Sequence, residues 1–245
     1  RNGMVMVQNT KAKIVTYSLR SIADHTCRIV EQSFEGMLLR MDSRESWTPL
    51  IGQHNAYNLL AIYTTAMVLG ADEEETLIAL STLRPAPGRL ENMRGPKDIS
   101  VIIDYAHTPD ALENVLKTLR EIASDRELIC VFGCGGDRDR TKRPEMAQVA
   151  QKLADRIIVT SDNSRTEKTS DIMADIKGGM DVNGRSRSLF IEDREEAIRT
   201  AIMLAGQGAT ILLAGKGHET YQIIGTEKRH FDEKEIVAGI FAEMN

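Results

Sequence analysis

The stretch "LICVFGCGGDRDRTKRPEMAQVAQKLADRIIVTSDNSR", residues 128–165, contains two short apolar runs separated by a segment with helical periodicity. The runs cover residues 128–134 and 156–162, and the helical segment covers residues 143–155. Two continuous apolar strands joined by a helix are the repeating unit of a parallel sheet that is covered on both faces. The stretch therefore predicts an α/β fold.

The same alternation continues on both sides of this stretch, from residue 97 to the end of the chain. Further apolar runs and helical segments alternate there, and a hairpin and a last helix follow, at 99–106, 108–123, 169–180, 188–193, 194–205, 210–217, 221–231 and 232–244. We therefore predict one open α/β domain with a mostly parallel sheet.

The first part of the chain has a different pattern, with short strands followed by two helices at residues 52–70 and 72–83. Between the two parts, "RPAPGR" at 84–89 contains two prolines and a glycine, which is typical of a linker. The sequence predicts a boundary near Arg89, with one domain over 1–88 and the other over 89–245.

The composition limits the classes of function. With 31 basic and 36 acidic residues among 245, the net charge is −5, which disfavours nucleic-acid or membrane-surface partners and favours small molecules. No apolar run approaches the roughly 20 residues of a membrane span. The three cysteines lack the spacing of a disulfide framework or zinc site, so we expect them to be buried in a cytoplasmic protein.

Ligands of open parallel sheets bind beyond the carboxyl ends of the strands, so the residues that follow each predicted strand are candidates for a site. "DYAHTPDA" (104–111) places Asp104 and His107 before a helix, where Thr108 or Asp110 would serve equally well as ordinary helix caps. This motif alone does not decide between ligand binding and capping.

The second strand end, "FGCGGDRDRTKRP" (132–144), combines three glycines with four bases, Arg138, Arg140, Lys142 and Arg143. Glycines let backbone N–H groups approach an anion, and arginines pair with carboxylates or phosphates. The motif favours an anion site; the alternative is a tight turn with solvated charges.

Two further strand ends, "TSDNSR" (160–165) and "LAGKGHETY" (213–221), are also polar. The second is not a Walker loop, because no Ser or Thr follows its lysine. In the first domain, "GQHNAYNLL" (52–60) places Asn55 and Asn58 on one helix face, where their amides could bind a purine edge. Capping of the helix and solvation are the alternative interpretation.

These motifs, together with "PAPGRLE" (85–91) and in this order, resemble the Mur ligase family, and most closely its diaminopimelate-adding members. The resemblance implies that residues 1–88 are the end of an α/β central ATPase domain. It also implies that residues 89–245 are a Rossmann-like C-terminal domain that receives the incoming amino acid.

The resemblance also implies roles for individual residues. The ATP-binding positions of the family match His54, Asn55, Asn58, Arg89, Asp104 and His107. The positions that hold meso-diaminopimelate match Arg138, Asp162, Asn163, Ser164, Arg165, Gly215 and Glu219. Ser164 stands where the family usually has proline. In this scheme Arg165, helped by Arg138 and Asn163, pairs with the distal carboxylate, and Glu219 accepts the distal ammonium.

The implied reaction is ATP-dependent amide ligation in peptidoglycan precursor synthesis. ATP would phosphorylate the D-glutamate of UDP-N-acetylmuramoyl-L-Ala-D-Glu, and the amine of meso-diaminopimelate would attack the acyl phosphate, with Mg²⁺ as cofactor. Residues 1–245 contain no phosphate loop. We therefore expect a truncated, inactive chain without catalytic residues or a metal site of its own.

Two alternatives remain open. One is a lysine-adding ligase of the same family, whose selector is expected to lack the arginine at position 165. The other is a non-catalytic α/β module that binds an amino acid or a nucleotide, for which a missing phosphate loop is also expected.

Overall fold

The computed structural model of the chain describes residues 3–244. The chain divides between Arg84 and Pro85 into two compact units. Within the described residues, every helix is too short or too polar to span a bilayer.

The first unit contains a four-stranded sheet in the order β1-β2-β3-β4, in which β1 and β2 are parallel and the remaining pairs are antiparallel. Its elements are α1 (Gly3–Met6), β1 (Tyr17–Ser18), β2 (His25–Ser33), β3 (Gly36–Met41), β4 (Arg44–Thr48), α2 (Gln53–Val68) and α3 (Glu73–Ser81). The core lies between β3 and α2, where Met37 and Leu39 pack in one cluster with Leu60 and Tyr63.

The second unit contains a six-stranded sheet in the order β5-β6-β10-β7-β8-β9. Its elements are β5 (Glu91–Arg94), β6 (Ser100–Asp104), α4 (Pro109–Ile122), β7 (Leu128–Phe132), α5 (Lys142–Leu153), β8 (Arg156–Val159), α6 (Thr169–Gly178), α7 (Val182–Ser186), β9 (Ser188–Phe190), α8 (Arg194–Leu204), β10 (Thr210–Ala214), β11 (Tyr221–Ile224), β12 (Glu227–His230) and α9 (Glu233–Met244). Only β5 runs antiparallel to its neighbour in this sheet. The predicted mostly parallel α/β sheet is confirmed.

The strand register aligns the carboxyl ends of the central strands. Ala214, the last residue of β10, lies beside both Asp104 of β6 and Phe132 of β7, and Phe132 lies beside Val159 of β8. The loops that follow these four strands therefore leave the sheet at the same edge. This alignment is what allows residues from distant parts of the sequence to meet there.

The central strands are buried, as continuous apolar runs require. One face of the sheet, with Val101, Val131 and Leu213, packs against Ile198 of α8 and Ile240 of α9. The free cysteines Cys27, Cys130 and Cys134 are buried as predicted. Burial raises the pKa of the Cys27 thiol to about 11 and those of the Cys130 and Cys134 thiols to about 12.

Candidate functional site

Two of the strand-end loops, residues 160–165 and 215–221, are in direct contact. The Asn163 side chain donates from Nδ2 to Glu219 Oε2 over 2.9 Å, and its Oδ1 accepts the Ile223 backbone N–H over 2.9 Å. Because both ends of the amide are bonded, its orientation is fixed. The structure thus joins an amide and a carboxylate that lie 56 residues apart in the sequence.

A buried lysine lies beside this contact. The Lys216 side chain is fully buried, and its Nζ lies 3.3 Å from Glu219 Oε2, 3.6 Å from Asp162 Oδ1 and 3.4 Å from Asn163 Oδ1. It also lies over the rings of Tyr221 and Phe231, 5.7 and 5.8 Å from their centroids. The sequence marks Lys216 only as a base in a turn; nothing in the local pattern indicates that it is buried.

The other predicted residues of these two loops are Asp162, Ser164 and Gly215. Backbone hydrogen bonds fix the positions of Asp162 and Ser164. Asp162 Oδ1 accepts the Asn163 N–H over 2.8 Å, and the Ser164 carbonyl accepts the Glu167 N–H over 3.1 Å. Gly215 has a φ of +119°, and a Cβ there would lie 3.4 Å from Asp162 Oδ2. Asp162 and Ser164 are both buried. The polar loop is therefore an ordered part of the fold.

Arg165 is anchored at both its backbone and its side chain. Its N–H donates to the Ile223 carbonyl over 3.2 Å, and its φ of +50° lies in the left-handed region. Its Nη1 donates to the carbonyls of Gly136, over 2.9 Å, and Asn163, over 3.2 Å. The guanidinium is thus held between the glycine-rich loop and the loop that carries Asn163.

The glycines of "GCGG" are explained by close packing against the loop that contains Asn163. A Cβ on Gly133 would collide with the Thr160 carbonyl, and one on Gly136 would collide with the Ser164 carbonyl. Gly135 lies beside Arg165, since a Cβ there would be 2.9 Å from Arg165 Nη1. Binding of an anion by this loop stays a prediction.

Most of the bases that follow these glycines are bonded to other groups of the protein. Arg143 is fully buried and binds Glu167 over 2.7 Å and Asp175 over 2.8 Å, while Arg140 binds Asp175 over 2.9 Å. The Lys142 ammonium donates to the His107 carbonyl over 3.0 Å. Hydrogen bonds from Arg143 are the main cause that lowers the pKa of Glu167 from 4.5 to about 2. The alternative interpretation of solvated charges is therefore wrong for Arg143, which is fully buried, while Arg140 is paired but largely exposed.

Arg138 is exposed, as Arg140 is. A Cβ on Gly135 would lie 3.8 Å from Arg138 Cγ, so Arg138 and Arg165 flank the same glycine. The structure therefore places the Arg165 guanidinium and the stem of the Arg138 side chain beside the same glycine. The predicted contact of Arg138 with a substrate carboxylate stays untested.

A second buried arginine supports these loops. Arg194, at the start of α8, donates from Nη1 to the Ser161 carbonyl over 3.1 Å and from Nη2 to the Ala214 carbonyl over 3.0 Å. Gln222 on β11 donates to Ser161 Oγ over 2.9 Å and to the Asp162 carbonyl over 3.1 Å. Neither residue is singled out by a motif, because its partners are distant in the sequence.

The nucleotide-site candidates of the second unit lie beyond β6. The Asp104 carboxylate is buried and accepts the N–H groups of Leu90 and Ala106, each over 2.8 Å. Thr108 caps α4 by accepting the Ala111 N–H, so capping is the observed role at this helix start. The predicted contact of Asp104 with a nucleotide stays a prediction.

Tyr105 is the centre of an aromatic cluster at the same strand end. The Arg89 guanidinium carbon lies 5.0 Å from the Tyr105 ring centroid, and the His107 and His218 rings lie 4.6 and 5.1 Å from it. Arg89 and His107, two of the predicted ATP-binding residues, therefore share one neighbour. His218, which the sequence shows only as part of the turn at 215–219, joins them.

The remaining ATP-site candidates lie in the first unit, in the first turns of α2. Asn55 donates from Nδ2 to the Ile51 carbonyl over 2.8 Å, while His54 and Asn58 are exposed. The N-cap is Gly52, so none of the three caps the helix. Their predicted contact with adenine stays a prediction.

In the part of the chain that the structure describes, no three His, Cys, Asp or Glu side chains are grouped so that they could hold a metal ion. Residues 3–244 therefore contain no Mg²⁺ site built from three such side chains. We assign none of the chemistry of this chain to Mg²⁺.

Comparison with known proteins matches residues 88–217 to the family model described as "Mur ligase, glutamate ligase domain". A UDP-N-acetylmuramoyl-L-alanyl-D-glutamate--2,6-diaminopimelate ligase of Bacteroides thetaiotaomicron is 50% identical over 242 residues, which are 98% of this chain and 50% of that protein. The ligase of the same name from Geobacillus kaustophilus is 43% identical over 238 residues, 96% of this chain and 48% of that protein.

The chain is also similar to solved structures. A structure of a ligase with that name is 40% identical, with a TM-score of 0.69, and the match covers 98% of this chain and 50% of that one. The UDP-N-acetylmuramate-alanine ligase MurC of Thermotoga maritima, at 22% identity and a TM-score of 0.62, shares the fold over 94% of this chain and 47% of that one.

The chain spans about half the length of the curated relatives it matches. The family model covers more than half of the chain and includes the strand ends with Asp104, Arg165 and Gly215. The fold of the chain is similar to that of the 40% identical ligase over 98% of this chain. The chain belongs to the Mur ligase family.

Proposed function

We propose that the chain is part of an ATP-dependent ligase that joins meso-diaminopimelate to the D-glutamate of UDP-N-acetylmuramoyl-L-Ala-D-Glu in peptidoglycan precursor synthesis. The second unit would bind the incoming amino acid, and the first unit would contribute to the nucleotide site. The names of the relatives support the reaction, and the contact between Asn163 and Glu219 carries the assignment of the amino-acid site.

The site offers both charges that the distal carbon of diaminopimelate requires. Arg165 and Arg138 would pair with the distal carboxylate, as guanidinium groups do in charge-assisted bonds. Glu219 would accept the distal ammonium. Its observed bonds from Asn163 and Lys216 both end on Oε2, so Oε1 has no bonded partner among residues 3–244. A carboxylate oxygen without a partner is suited to a ligand N–H.

In the proposed reaction, the free amine attacks the carbonyl carbon of the D-glutamate acyl phosphate. The new C–N bond forms, the C–O bond to phosphate breaks, and the amine loses a proton. The residues of this chain would hold the amine at the right distance and orientation, which is a large part of the catalysis of such a reaction. ATP phosphate and Mg²⁺ contacts would come from residues outside this chain, and we assign no catalytic residue within it.

The alternatives differ in what they require of Arg165. Lysine has no second carboxylate, so in a lysine-adding ligase this guanidinium would have no ligand carboxylate to pair with. The anchored position of Arg165 favours diaminopimelate. A non-catalytic module would bind the same amino acid but would never form the amide, even within a longer protein.

Calorimetric titration of the 245-residue chain with meso-diaminopimelate and with L-lysine tests the binding part of this proposal. We expect diaminopimelate to bind more tightly. Equal affinity for both would contradict the assignment of the site. The ligation part is tested with the longer gene product, in which diaminopimelate-dependent ADP release is expected; binding without ADP release would support the non-catalytic module.

A further inference from the structure

The buried ammonium of Lys216 contacts three of the residues that the proposed function assigns to the amino acid: Asp162, Asn163 and Glu219. The Lys216 side chain is fully buried, and those of Asp162 and Glu219 are 10% and 15% exposed. Burying a charge is costly unless it is paired. Here two carboxylates and an amide oxygen stabilise the Lys216 ammonium. The position of the ammonium and the positions of these three acceptors therefore depend on each other.

We propose that Lys216 is a specificity-determining residue, a resident cation that sets the charge of the distal pocket and so disfavours lysine. This inference rests on the proposed function, because it concerns the same amino-acid site. Lys216 would act through the electrostatic potential of the pocket and through the placement of Glu219, without touching the reacting atoms.

The charges of the pocket explain the direction of this preference. Two acids, Asp162 and Glu219, pair with Lys216. Two further bases lie beside the same loops, Arg165 on the Asn163 carbonyl and Arg138 next to Gly135. The distal carbon of diaminopimelate carries a carboxylate and an ammonium, so its net charge is zero. The end of the lysine side chain carries only an ammonium. A pocket with excess positive charge therefore repels lysine and leaves diaminopimelate nearly unaffected.

Pairing with Lys216 also limits the acceptors that a ligand ammonium finds. Asp162 Oδ1 is occupied by Lys216 and by the Asn163 N–H, over 3.6 and 2.8 Å. Glu219 Oε2 is occupied by Lys216 and Asn163 Nδ2. Without Lys216, two poorly compensated carboxylates would face the pocket and attract the more cationic amino acid.

The test compares dissociation constants of meso-diaminopimelate and L-lysine by calorimetric titration of the 245-residue chain and its Lys216→Met variant. We expect the preference for diaminopimelate to fall about tenfold or more, because one unit charge a few ångströms from the ligand is removed. Lys117→Met is the control; it removes the same charge from the surface of α4, where Lys117 pairs with Glu113, and should keep the wild-type preference.

The ratio of the two dissociation constants separates the inference from a merely structural role. A lysine that only supports the fold would, when replaced, weaken binding of both amino acids by the same factor, and that result would overturn the inference. An unchanged ratio would overturn it as well. A wild-type chain without preference for diaminopimelate would contradict the proposed function itself, which makes the two failures distinguishable.

A second variant keeps the inference testable if Lys216→Met does not fold. Asp162→Asn combined with Lys216→Met removes one acid and one base, so the pocket keeps its wild-type net charge, and Glu219, which is 15% exposed, is the one acid that loses its counter-charge. We expect this double variant to fold and to recover most of the preference for diaminopimelate. A folded double variant that prefers lysine, or that prefers neither amino acid, would show that the net charge of the pocket does not determine the preference for diaminopimelate.

Discussion

The Arg194 guanidinium and the Glu233 carboxylate form an ion pair with 2.8 Å between Nη2 and Oε1, and neither side chain is more than 1% exposed. The same guanidinium bonds the carbonyls of Ser161 and Ala214, the residues directly before Asp162 and Gly215. Burial raises the pKa of Glu233, and the neighbouring positive charge of Arg194 opposes that rise. One buried pair therefore links the start of α9 to both loops of the candidate site.

Replacing only Arg194 should be more damaging than replacing both partners. We expect Arg194→Met to lower the free energy of unfolding by roughly 3–5 kcal/mol, because it leaves a carboxylate buried without its counter-charge. Arg194→Met combined with Glu233→Met should recover most of that loss, since an apolar pair needs no compensation. Urea unfolding followed by far-UV circular dichroism measures both.

The only tryptophan of the chain, Trp47, lies in the first unit, so its fluorescence provides an internal control that should not change. Arg199→Met, which removes the exposed pair with Glu243, should have little effect. A double variant as unstable as Arg194→Met would show that the stability depends on the carbonyl bonds of Arg194 and not on its charge pairing.

The lowered pKa of Glu167 predicts how the free energy of unfolding depends on pH. Its folded-state pKa is lowered from 4.5 to about 2, mainly by hydrogen bonds from Arg143. The contribution of ionised Glu167 to the free energy of unfolding is therefore complete above pH 4.5, is lost as the pH falls, and is absent below about pH 2. We expect Glu167→Gln to be less stable than wild type at neutral pH and to approach wild type over this window. If the curves of unfolding free energy against pH for wild type and Glu167→Gln are parallel, Glu167 does not stabilise the fold through its charge.

Much of the second unit is predictable because its strands and helices differ in hydrophobic period. Three elements are not predicted: β4 of the first unit, and β5 and α7 of the second. Their sequences, "RESWT", "ENMR" and "VNGRS", are mainly polar and carry no continuous apolar run. Such segments pair at sheet edges or between elements, where tertiary contacts override the local signal.

The candidate site is predictable only in part for a related reason. Strand-end position identifies residues such as Asn163 and Glu219, since parallel strands place their carboxyl ends together. Lys216, Arg194 and Glu167 act through partners that the fold, and not the local sequence, supplies; Arg194 and Glu233 are 39 residues apart. Burial of a charged side chain has no local signature, so Lys216 and Arg194 emerge only from the structure, and Glu167 emerges through its contact with the buried Arg143.

Arg165 should determine the preference for diaminopimelate. We expect Arg165→Ala to reduce the ratio of lysine to diaminopimelate dissociation constants by thirtyfold to several thousandfold, roughly 2–5 kcal/mol for the loss of one partner of a partly buried charge pair. Calorimetric titration of the 245-residue chain measures it. Arg185→Ala, an exposed change on α7, is the control. If the Arg165 variant keeps its full preference, Arg165 is a structural residue of the loop only.

Adenine nucleotides should bind this chain weakly and should not be hydrolysed by it. The sequence holds no Gly-rich Lys-Ser/Thr loop to surround the phosphates, and such contacts dominate the anchoring of nucleotides. Only the predicted contacts of α2 with adenine would then anchor the nucleotide in the first unit. Asn55 Nδ2 is already bonded to the Ile51 carbonyl, so its Oδ1 and the exposed Asn58 amide would bind the base.

We therefore expect Asn55→Ala and Asn58→Ala each to weaken ADP binding about fivefold, the equivalent of one neutral hydrogen bond of about 1 kcal/mol. Thr65→Ala, in the later turns of the same helix, is the control, because the Thr65 hydroxyl donates within the helix, to the Ala61 carbonyl. Titration with ADP measures the affinities, and a diaminopimelate-dependent ADP-release assay should show no turnover. Micromolar ADP binding that survives both asparagine changes would place the nucleotide elsewhere, and turnover by the purified chain would show that it holds a phosphate site without the usual motif.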